Sequence, residues 1–252
     1  MEQVILNDIR KQSYSMRESL RALRTNIQFC GDDVRVIMFT STAPDEGKST
    51  VTFELARSIA AAGKTVLFID TDMRKSAMAG RHRAKTVSGS ELYGLSHYLS
   101  GWTKAEQIIN STNIDNLYMI FAGREVPNPT EILEKPKFAE LIEATRKTFD
   151  YVIIDCAPLG AAIDAAVIAP HTDGAVLVIA QGQVNSRAIL GAKQQLEASG
   201  VNVLGCVLNK VQMEKNHYYG HYYGKYYGSY YGSYYGSYYG HSDDGNGGGG
   251  KK

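Results

Sequence analysis

Short apolar runs alternate with segments of helical spacing along most of the chain, after a polar start. The apolar runs are five or six residues long and are bounded by polar residues, a pattern typical of strands buried on both faces of a sheet. The predicted strands are Val36–Thr40, Thr65–Asp70, Leu117–Phe121, Tyr151–Asp155, Ala175–Ile179 and Val203–Leu208. Apolar residues spaced three or four positions apart predict helices between them. These helices are Tyr14–Phe29, Thr50–Ala62, Thr130–Lys147 with a threonine cap, Asp164–Ala169 and Ser186–Ser199.

Buried strands that alternate with helices predict an α/β fold, with a mostly parallel sheet and helices on both of its faces. Ligands in such folds bind beyond the carboxyl ends of the strands. We expect one domain over residues 1–216 and a separate tail over residues 217–252. The segment Met73–Ser90 is basic and poor in apolar residues, with Arg74, Lys75, Arg81, Arg83 and Lys85. It predicts a mobile, solvated basic loop, for which contact with anionic lipid is a weaker alternative.

Charge and cysteine content exclude several classes of protein. The chain has 252 residues, with 27 Lys and Arg against 26 Asp and Glu, so its net charge is +1. A near-neutral balance argues against a nonspecific nucleic-acid-binding protein. Three scattered cysteines without a CxxC pair predict neither a disulfide framework nor a zinc site. The start lacks a signal peptide, and no apolar run approaches the ~20 residues that span a bilayer. We therefore expect a cytoplasmic protein that a partner recruits to the inner face of the membrane.

A phosphate-binding loop is predicted at Ser41–Thr50, STAPDEGKST, between a buried strand and a helix. A loop in that position directs backbone N–H groups and a helix N-terminus towards an anion. Gly47 permits close approach of the backbone, Lys48 adds a positive charge for the β- and γ-phosphates, and Ser49 offers its hydroxyl to Mg²⁺. The loop is a variant of GxxxxGK[ST], because Thr42 stands where the first glycine is usual.

Acidic residues follow two of the predicted strands. FIDTDMR places Asp70, Asp72 and Arg74 at the end of one strand, and YVIIDCAP places Asp155 at the end of another. Mg²⁺ on a bound nucleotide needs one or two carboxylates, directly or through water. We expect Asp70 and Asp155, with Ser49, to hold the metal. Capping of the following segment remains the alternative role for Asp70 and Asp72.

The nucleotide-binding residues extend over the whole loop and include one residue from the last strand. The predicted contacts to ATP are Pro44, Asp45, Glu46, Gly47, Lys48, Ser49, Thr50 and Asn209. Asn209 closes the last strand and could present its amide to a base edge, although asparagine is also an ordinary turn residue there.

From residue 217 the chain repeats two tyrosines and a glycine every four residues, followed by a Gly-rich end. The repeat holds twelve of the 17 tyrosines: Tyr218, Tyr219, Tyr222, Tyr223, Tyr226, Tyr227, Tyr230, Tyr231, Tyr234, Tyr235, Tyr238 and Tyr239. A glycine at every fourth position makes folding entropically costly, so we expect a disordered, accessible tail. An aromatic sticker or binding platform would not account for its attachment to an ATP site. Exposed tyrosines beside a phosphoryl-transfer centre suggest a substrate.

These motifs together resemble the bacterial tyrosine kinases of capsule and exopolysaccharide synthesis, in the form whose cytoplasmic kinase is separate from its membrane activator. The resemblance is carried by APDEGKST, FIDTDMR, YVIIDCAP, the tyrosine cluster, GLSHYLSG (residues 94–101), AGREVPNPTEIL (122–133) and VLGCVLNKV (203–211). Glu18, Arg21 and Arg24 also match the ExxRxxR element that drives ring assembly in this family. Their spacing places them on one helix face where a neighbouring subunit could meet them, although such a face is commonly solvated surface.

The resemblance implies a ParA/MinD-like P-loop NTPase fold and an ATP- and Mg²⁺-dependent protein-tyrosine autokinase. It implies that Lys48 contacts the phosphates, and that Asp70 or Asp72 accepts the tyrosine proton. The tail tyrosines would be phosphorylated in trans within a ring homo-oligomer, which would regulate polysaccharide polymerisation and export. The implied partners are a transmembrane activator or chain-length regulator, acting through its cytosolic segment, and a cognate tyrosine phosphatase, with no nucleic acid.

Two other functions account for part of the sequence. A ParA/MinD-like positioning ATPase shares the sheet and the loop, but it usually carries a lysine at the position of Ala43 and lacks a tyrosine tail. A nonenzymatic interaction protein would use the tail alone and keep a relic nucleotide site. The intact loop lysine and the three aspartates argue against the relic.

Overall fold

The apolar runs form the interior of one twisted sheet. The structure, a computed structural model, describes residues 1–9, 11–74 and 78–212. Its strands are β1 (Glu2–Ile5), β2 (Val36–Ser41), β3 (Val66–Asp70), β4 (Lys85–Thr86), β5 (Asn110–Thr112), β6 (Leu117–Ile120), β7 (Tyr151–Asp155), β8 (Gly174–Ala180) and β9 (Val203–Asn209). The strand order is β4-β1-β5-β6-β3-β7-β2-β8-β9. Among the strands of the described residues, only the β1–β4 and β5–β6 pairs are antiparallel, so the expected mostly parallel sheet is confirmed.

Helices connect most of these strands. They are α1 (Tyr14–Gln28), α2 (Lys48–Ala60), α3 (Met78–Arg81), α4 (Leu95–Leu99), α5 (Pro129–Leu133), α6 (Pro136–Thr148), α7 (Asp164–Ile168) and α8 (Ser186–Ala198). Short 3₁₀ turns cover Ala105–Gln107 and Ala169–His171. Helix α8 begins after Asn185, whose side chain accepts the N–H of Ala188 and so satisfies one of the first amides of the helix.

The alternation of side chains along β2 divides the core into two layers. Val36 and Met38 pack in a cluster with residues of α4 to α8, whereas Ile37 and Phe39 pack with residues of α1, α2 and α3. Successive side chains of a strand point to opposite faces, so a strand that is apolar throughout needs cover on both sides. Helices therefore lie on both faces, as the sequence predicted.

The expected single helix over Thr130–Lys147 is wrong, because the structure has α5 and α6 in its place. Pro136 lacks a backbone N–H, and a residue before proline avoids the helical region. Lys135 accordingly adopts an extended ψ of 144°. The expected threonine cap is also wrong, since the capping position is Asn128 and the helix begins at Pro129.

The basic segment Met73–Ser90 is not a loop throughout, contrary to expectation. Its described part contains α3 and β4, and β4 pairs with β1. Met78 and His82 are buried. The polar start likewise contains a strand, β1, whose Val4 is fully buried. Strand β1 pairs with β4 on one side and with β5 on the other, and no local apolar run indicates either pairing.

His82 joins the basic segment to the N-terminal segment. Its Nδ1 lies 2.9 Å from the carbonyl oxygen of Asp8, and its ring packs on Phe53 at 4.2 Å between centroids. Burial lowers the pKa of His82, although the bond to Asp8 opposes the shift. The folded protein therefore favours the neutral imidazole.

We predict that His82 contributes a loss of stability on mild acidification. The unfolded chain binds a proton near pH ~6.5, whereas folded His82 binds it only at lower pH, so stability is full above that range and declines as pH falls below it. The contribution cannot exceed about 1.4 kcal/mol per pH unit. Denaturant unfolding at pH 7 and pH 5.5 of the native chain and of His82→Asn, which keeps a donor for Asp8, measures it. Equal pH dependence of both chains would contradict the prediction.

Candidate active site

The phosphate-binding loop connects β2 to α2 through two residues in the left-handed region. Asp45 has φ 62° and Gly47 has φ 84°. Gly47 is the last residue before α2, and its carbonyl accepts the N–H of Val51 at 3.0 Å. The loop thus ends at a helix N-terminus, whose amides and dipole favour an anion.

The outward carbonyl groups of the loop are held by side chains from the β8 and β9 side. The donor–acceptor pairs are Gln183 Nε2 with Pro44 O at 2.7 Å, Asn209 Nδ2 with Glu46 O at 2.8 Å, and Lys210 Nζ with Asp45 O. Three consecutive carbonyls are therefore satisfied within the protein. The main chain of the loop is fixed before any ligand binds, which lowers the entropy cost of phosphate binding.

Glu46 fastens the loop from inside. Its buried carboxylate accepts the N–H of Ala43 at 2.8 Å and that of Ala180, at the end of β8, at 3.0 Å. The side chain of Glu46 thus has a bracing contact on both oxygens. Thr50 is exposed on α2, and its hydroxyl accepts a bond from Arg81 at 3.3 Å.

Lys48, Ser49, Asp70 and Asp155 are brought together beneath the loop. Lys48 Nζ lies 2.5 Å from Asp155 Oδ1 and 3.2 Å from Ser49 Oγ. Asp70 and Asp155 are register partners at the carboxyl ends of the neighbouring strands β3 and β7. Lys48, Asp70 and Asp155 are all buried, each at most 5% exposed as a residue. The sequence predicted this meeting, because carboxyl ends of parallel strands share one edge of the sheet.

Burial and charge act in opposite directions on the protonation of these groups. Burial alone would lower the pKa of Lys48, but the Asp155 carboxylate outweighs it and raises that pKa. Burial, reinforced by the charge of Asp155, raises the pKa of Asp70 well above its ordinary value, although Lys48 opposes the shift. Lys48 is thus a permanent cation, whereas Asp70 takes up a proton more readily than an ordinary carboxylate.

The donor set fits a nucleotide-borne Mg²⁺. Asp70 Oδ2 and Asp155 Oδ2 are buried and have no hydrogen-bond partner among the residues that the structure describes. Within the same ranges, no group of three or more His, Cys, Asp or Glu side chains could hold a metal on its own. Mg²⁺ commonly takes one or two protein carboxylates and completes its shell with phosphate and water, which matches two orphaned oxygens beside Ser49.

Asp72 lies one step further out along the same strand end. Its N–H donates to Asp70 Oδ1 at 3.1 Å, and the preceding Thr71 donates twice to the carbonyl of Asp155, through its N–H and its hydroxyl. Asp72 is half-buried, in contrast to the buried Asp70. Its charge also raises the pKa of Lys48, so Asp72 acts on the same centre from a more accessible position.

Comparison with known proteins decides the family. A family model described as an AAA domain matches residues 34–214. The tyrosine-protein kinase CpsD of Streptococcus pneumoniae is 44% identical over 201 residues, which cover 80% of this chain and 87% of that protein. The kinase domain of Escherichia coli tyrosine kinase ETK superposes with a TM-score of 0.74 at 32% identity, covering 80% of this chain and 78% of that one. The chain belongs to the bacterial tyrosine-protein kinases.

Membership confirms the resemblance, the fold class and the enzyme class that the sequence predicted. The septum site-determining protein MinD of Pyrococcus horikoshii shares the fold at a TM-score of 0.58 and 24% identity, covering 69% of each chain. The ParA/MinD-like alternative is therefore right about the architecture and wrong about the family. The AAA-domain match and the P-loop make this a nucleotide-binding fold.

Other predicted residues of the kinase lie away from this centre. Glu18 and Arg21 form an exposed salt bridge of 2.7 Å along α1, while Arg24 donates to the carbonyl of Ser58 at 2.7 Å. Arg24 thus has a partner within its own chain. The twelve tail tyrosines lie outside the described residues. No helix in the described ranges has the length and apolarity that a membrane crossing requires.

The sequence missed two groups of residues that shape the kinase site. Gln183 and Lys210 hold the loop carbonyls, and a second group links Arg74 to Asp164 and Thr130. Arg74 was expected in a solvated loop, whereas it is bonded to two other elements. The one available signal was Asp164 itself, an acid at the start of the otherwise apolar helix α7.

We predict that Gly47→Ala abolishes tight nucleotide binding. A Cβ at Gly47 would overlap Nδ2 of Asn209, so either the loop or the bond from Asn209 to Glu46 must give way, and affinity for Mg²⁺-ADP should fall about tenfold or more. Gly63→Ala is the matched control, because Gly63 has the same φ of 84° with open space around it. It should cost about 1 kcal/mol of stability without changing affinity. Titration with a fluorescent ADP measures both, and equal affinities in the two variants would refute the argument.

Proposed function

We propose that this kinase transfers the γ-phosphate of ATP to the tyrosines of its own C-terminal cluster, in trans within a ring homo-oligomer, and thereby regulates capsular or exopolysaccharide polymerisation and export. The observation that carries the proposal is the buried contact of Lys48 with Asp155 beside Asp70, below a pre-fixed phosphate loop. This arrangement fits a triphosphate whose terminal group lies at the carboxyl edge of the sheet.

Each residue has a separate task in the proposed reaction. Backbone N–H groups of Asp45, Glu46 and Gly47 and of the start of α2 bind the phosphates, with Pro44 shaping the loop before them, and Lys48 neutralises charge on the β- and γ-phosphates. Ser49, Asp70 and Asp155 would hold Mg²⁺, which supplies charge stabilisation on the phosphate oxygens. Catalysis then consists mainly of positioning and electrostatics, as is general for phosphoryl transfer.

The tyrosine hydroxyl needs a proton acceptor, since its pKa is about 10. As the bond from tyrosine Oη to the γ-phosphorus forms, the bond from that phosphorus to the bridging oxygen breaks, ADP leaves, and the phenolic proton passes to a carboxylate. Asp72 is the better acceptor of the two candidates, because it is half-buried whereas Asp70 is enclosed and faces the metal position. The choice between them was open from the sequence.

The family of this kinase suggests its location in the cell and its partners. We infer cytoplasmic localisation with recruitment to the inner face of the membrane by a transmembrane activator or chain-length regulator, and reversal by a cognate tyrosine phosphatase. Glu18 and Arg21 on α1 are exposed enough to meet a neighbour. Arg24 would also take part in the ring contact, either while its bond to the Ser58 carbonyl persists or after a bond to the neighbouring subunit replaces it. Asn209 holds the phosphate loop by donating to the Glu46 carbonyl, and we propose that it contributes to nucleotide binding in this way.

We predict trans phosphorylation of the tail. A Lys48→Met chain cannot label itself, so label in its tail must come from another subunit. It is mixed with an active chain whose twelve tail tyrosines are replaced by phenylalanine, together with γ-labelled ATP and Mg²⁺, and labelled residues are mapped. We expect label on the Lys48→Met tail. An unlabelled tail, while the native chain labels its own, would restrict the reaction to cis.

We also predict that full phosphorylation converts the oligomer towards monomer. Each phosphate adds about −1.5 to −2 charges, so twelve sites give a tail of about −20, and such tails repel one another. Light scattering before and after reaction measures the mass. The Lys48→Met chain, treated identically, should stay oligomeric. An unchanged mass of the fully phosphorylated native chain would reject the prediction.

A further inference from the structure

A buried carboxylate outside the nucleotide centre ties together three separate elements at the carboxyl edge. Asp164, the first residue of α7, is fully buried. It accepts two bonds from Arg74, from Nε at 2.9 Å and from Nη2 at 3.0 Å, and one from the Thr130 hydroxyl at 2.5 Å. Arg74 Nη2 also donates to Thr130 Oγ1 at 3.2 Å. The three residues form a closed triangle, which we call the Arg74 clamp.

The clamp joins residues that are distant in sequence. Arg74 follows β3, Thr130 lies in the first turn of α5, and Asp164 begins the segment after β7. Two donors of one guanidinium face two oxygens of one carboxylate, which fixes the plane of the guanidinium as well as its position. Thr130 supplies the third contact, so neither partner can rotate without breaking a bond.

Stability alone is a weak reason for this triangle. Asp164 is buried, but the Arg74 side chain is 41% exposed, so water weakens the attraction between them. The carboxylate still loses its hydration on burial, and an apolar residue in its place would often serve the core as well. Asp164 stands among apolar residues of α7, two of which, Ala165 and Ile168, are fully buried. What the ion pair adds beyond an apolar contact is a defined place for Arg74.

The place of Arg74 matters because of Asp72, two residues earlier. Met73, which lies between them, is fully buried, and its N–H donates to the carbonyl of Thr71 at 2.9 Å. Asp72 therefore lies on a short turn of the main chain, and Arg74 is at the far end of that turn. The same turn is fixed on its other side by Thr71, which is bonded to Asp155. Asp72 therefore lies between two residues that are held in place, Thr71 and Arg74.

We propose that Asp164 and Thr130 are positioning residues for phosphoryl transfer, which hold Arg74 and through it keep Asp72 at the edge where the tyrosine arrives. The inference rests on the proposed function, in which Asp72 accepts the proton. Among the described residues, the hydrogen bonds of Arg74, Thr130 and Asp164 link the clamp to no residue of the phosphate loop, so its loss should impair transfer and leave nucleotide binding in place.

The test uses full-length chains and measures the initial rate of tail labelling at saturating Mg²⁺-ATP, together with the Kd for Mg²⁺-ADP. Asp164→Asn should lower the rate about tenfold or more, with an unchanged Kd. Thr130→Val should lower it by about threefold, and Thr130→Ser, which keeps the hydroxyl, should restore it. If Asp164→Asn does not fold, the comparison of Thr130→Val with Thr130→Ser provides the test.

A double variant separates positioning from a general structural effect. The Arg74→Gln variant has no guanidinium for Asp164 to hold. Adding Asp164→Asn to this variant should therefore leave its rate of tail labelling unchanged. Asp173→Asn is the matched control, because Asp173 pairs with Arg146 and accepts the N–H groups of Arg35 and Val36 at the opposite, amino edge of the sheet. It should lose stability and keep its labelling rate.

Three outcomes would overturn the inference: rates that fall additively in the double variant, a Kd that rises in step with the loss of rate, or native rates in both Asp164→Asn and Thr130→Val. A native chain that leaves its tail unlabelled overturns the proposed function instead. The two failures are therefore distinguishable in one set of measurements.

Discussion

The buried contact between Lys48 and Asp155 is the constraint on which the site depends. With Asp70 alongside, one cation meets two carboxylates, so the net charge of the three groups is +1 − 2 = −1 when all are ionised. An unbalanced charge is costly in such a setting, and burial together with the charge of Asp155 raises the pKa of Asp70. A divalent ion on a nucleotide would relieve it in the same place. The excess negative charge of the three groups therefore favours a cation at this position.

Much of this centre could be predicted from sequence because it depends on local patterns and one rule of topology. An apolar run followed by an acid places a carboxylate at the end of a strand, and parallel strands bring their ends to one edge. Asp70 and Asp155, which are 85 residues apart, become register partners for that reason alone. The roles of Gly47 and Lys48 in the loop could equally be predicted from the sequence, because the loop is continuous in sequence and its left-handed glycine is a property of the turn.

The remaining features of the fold and the site depend on contacts between distant segments, which no local sequence pattern indicates. Strands β1, β4 and β5 are short and largely polar, and each exists because a neighbour supplies its hydrogen bonds. The side chain of Glu46 reaches across the loop to the N–H of Ala180, a contact that the loop sequence does not indicate. Arg74 and Asp164 are 90 residues apart, and nothing in a basic stretch indicates which arginine is bonded. Long-range polar partners are chosen by the assembled fold, so they become visible only in it.

The contrast between Asp70 and Asp72 shows how one strand end supplies two chemically different carboxylates. Asp70 ends β3, is enclosed, and leaves one oxygen without a partner among the described residues. Asp72 has left the strand, is half-buried, and experiences the positive charges of Lys48 and Arg74. Environment, not residue type, separates the two roles. Because the outer carboxylate lies on a turn, its position must come from contacts made elsewhere, and the segments after β3 and β7 together with α5 provide them. The edge that would receive a tyrosine is thus assembled from distant parts of the chain, while the phosphate loop is assembled from one.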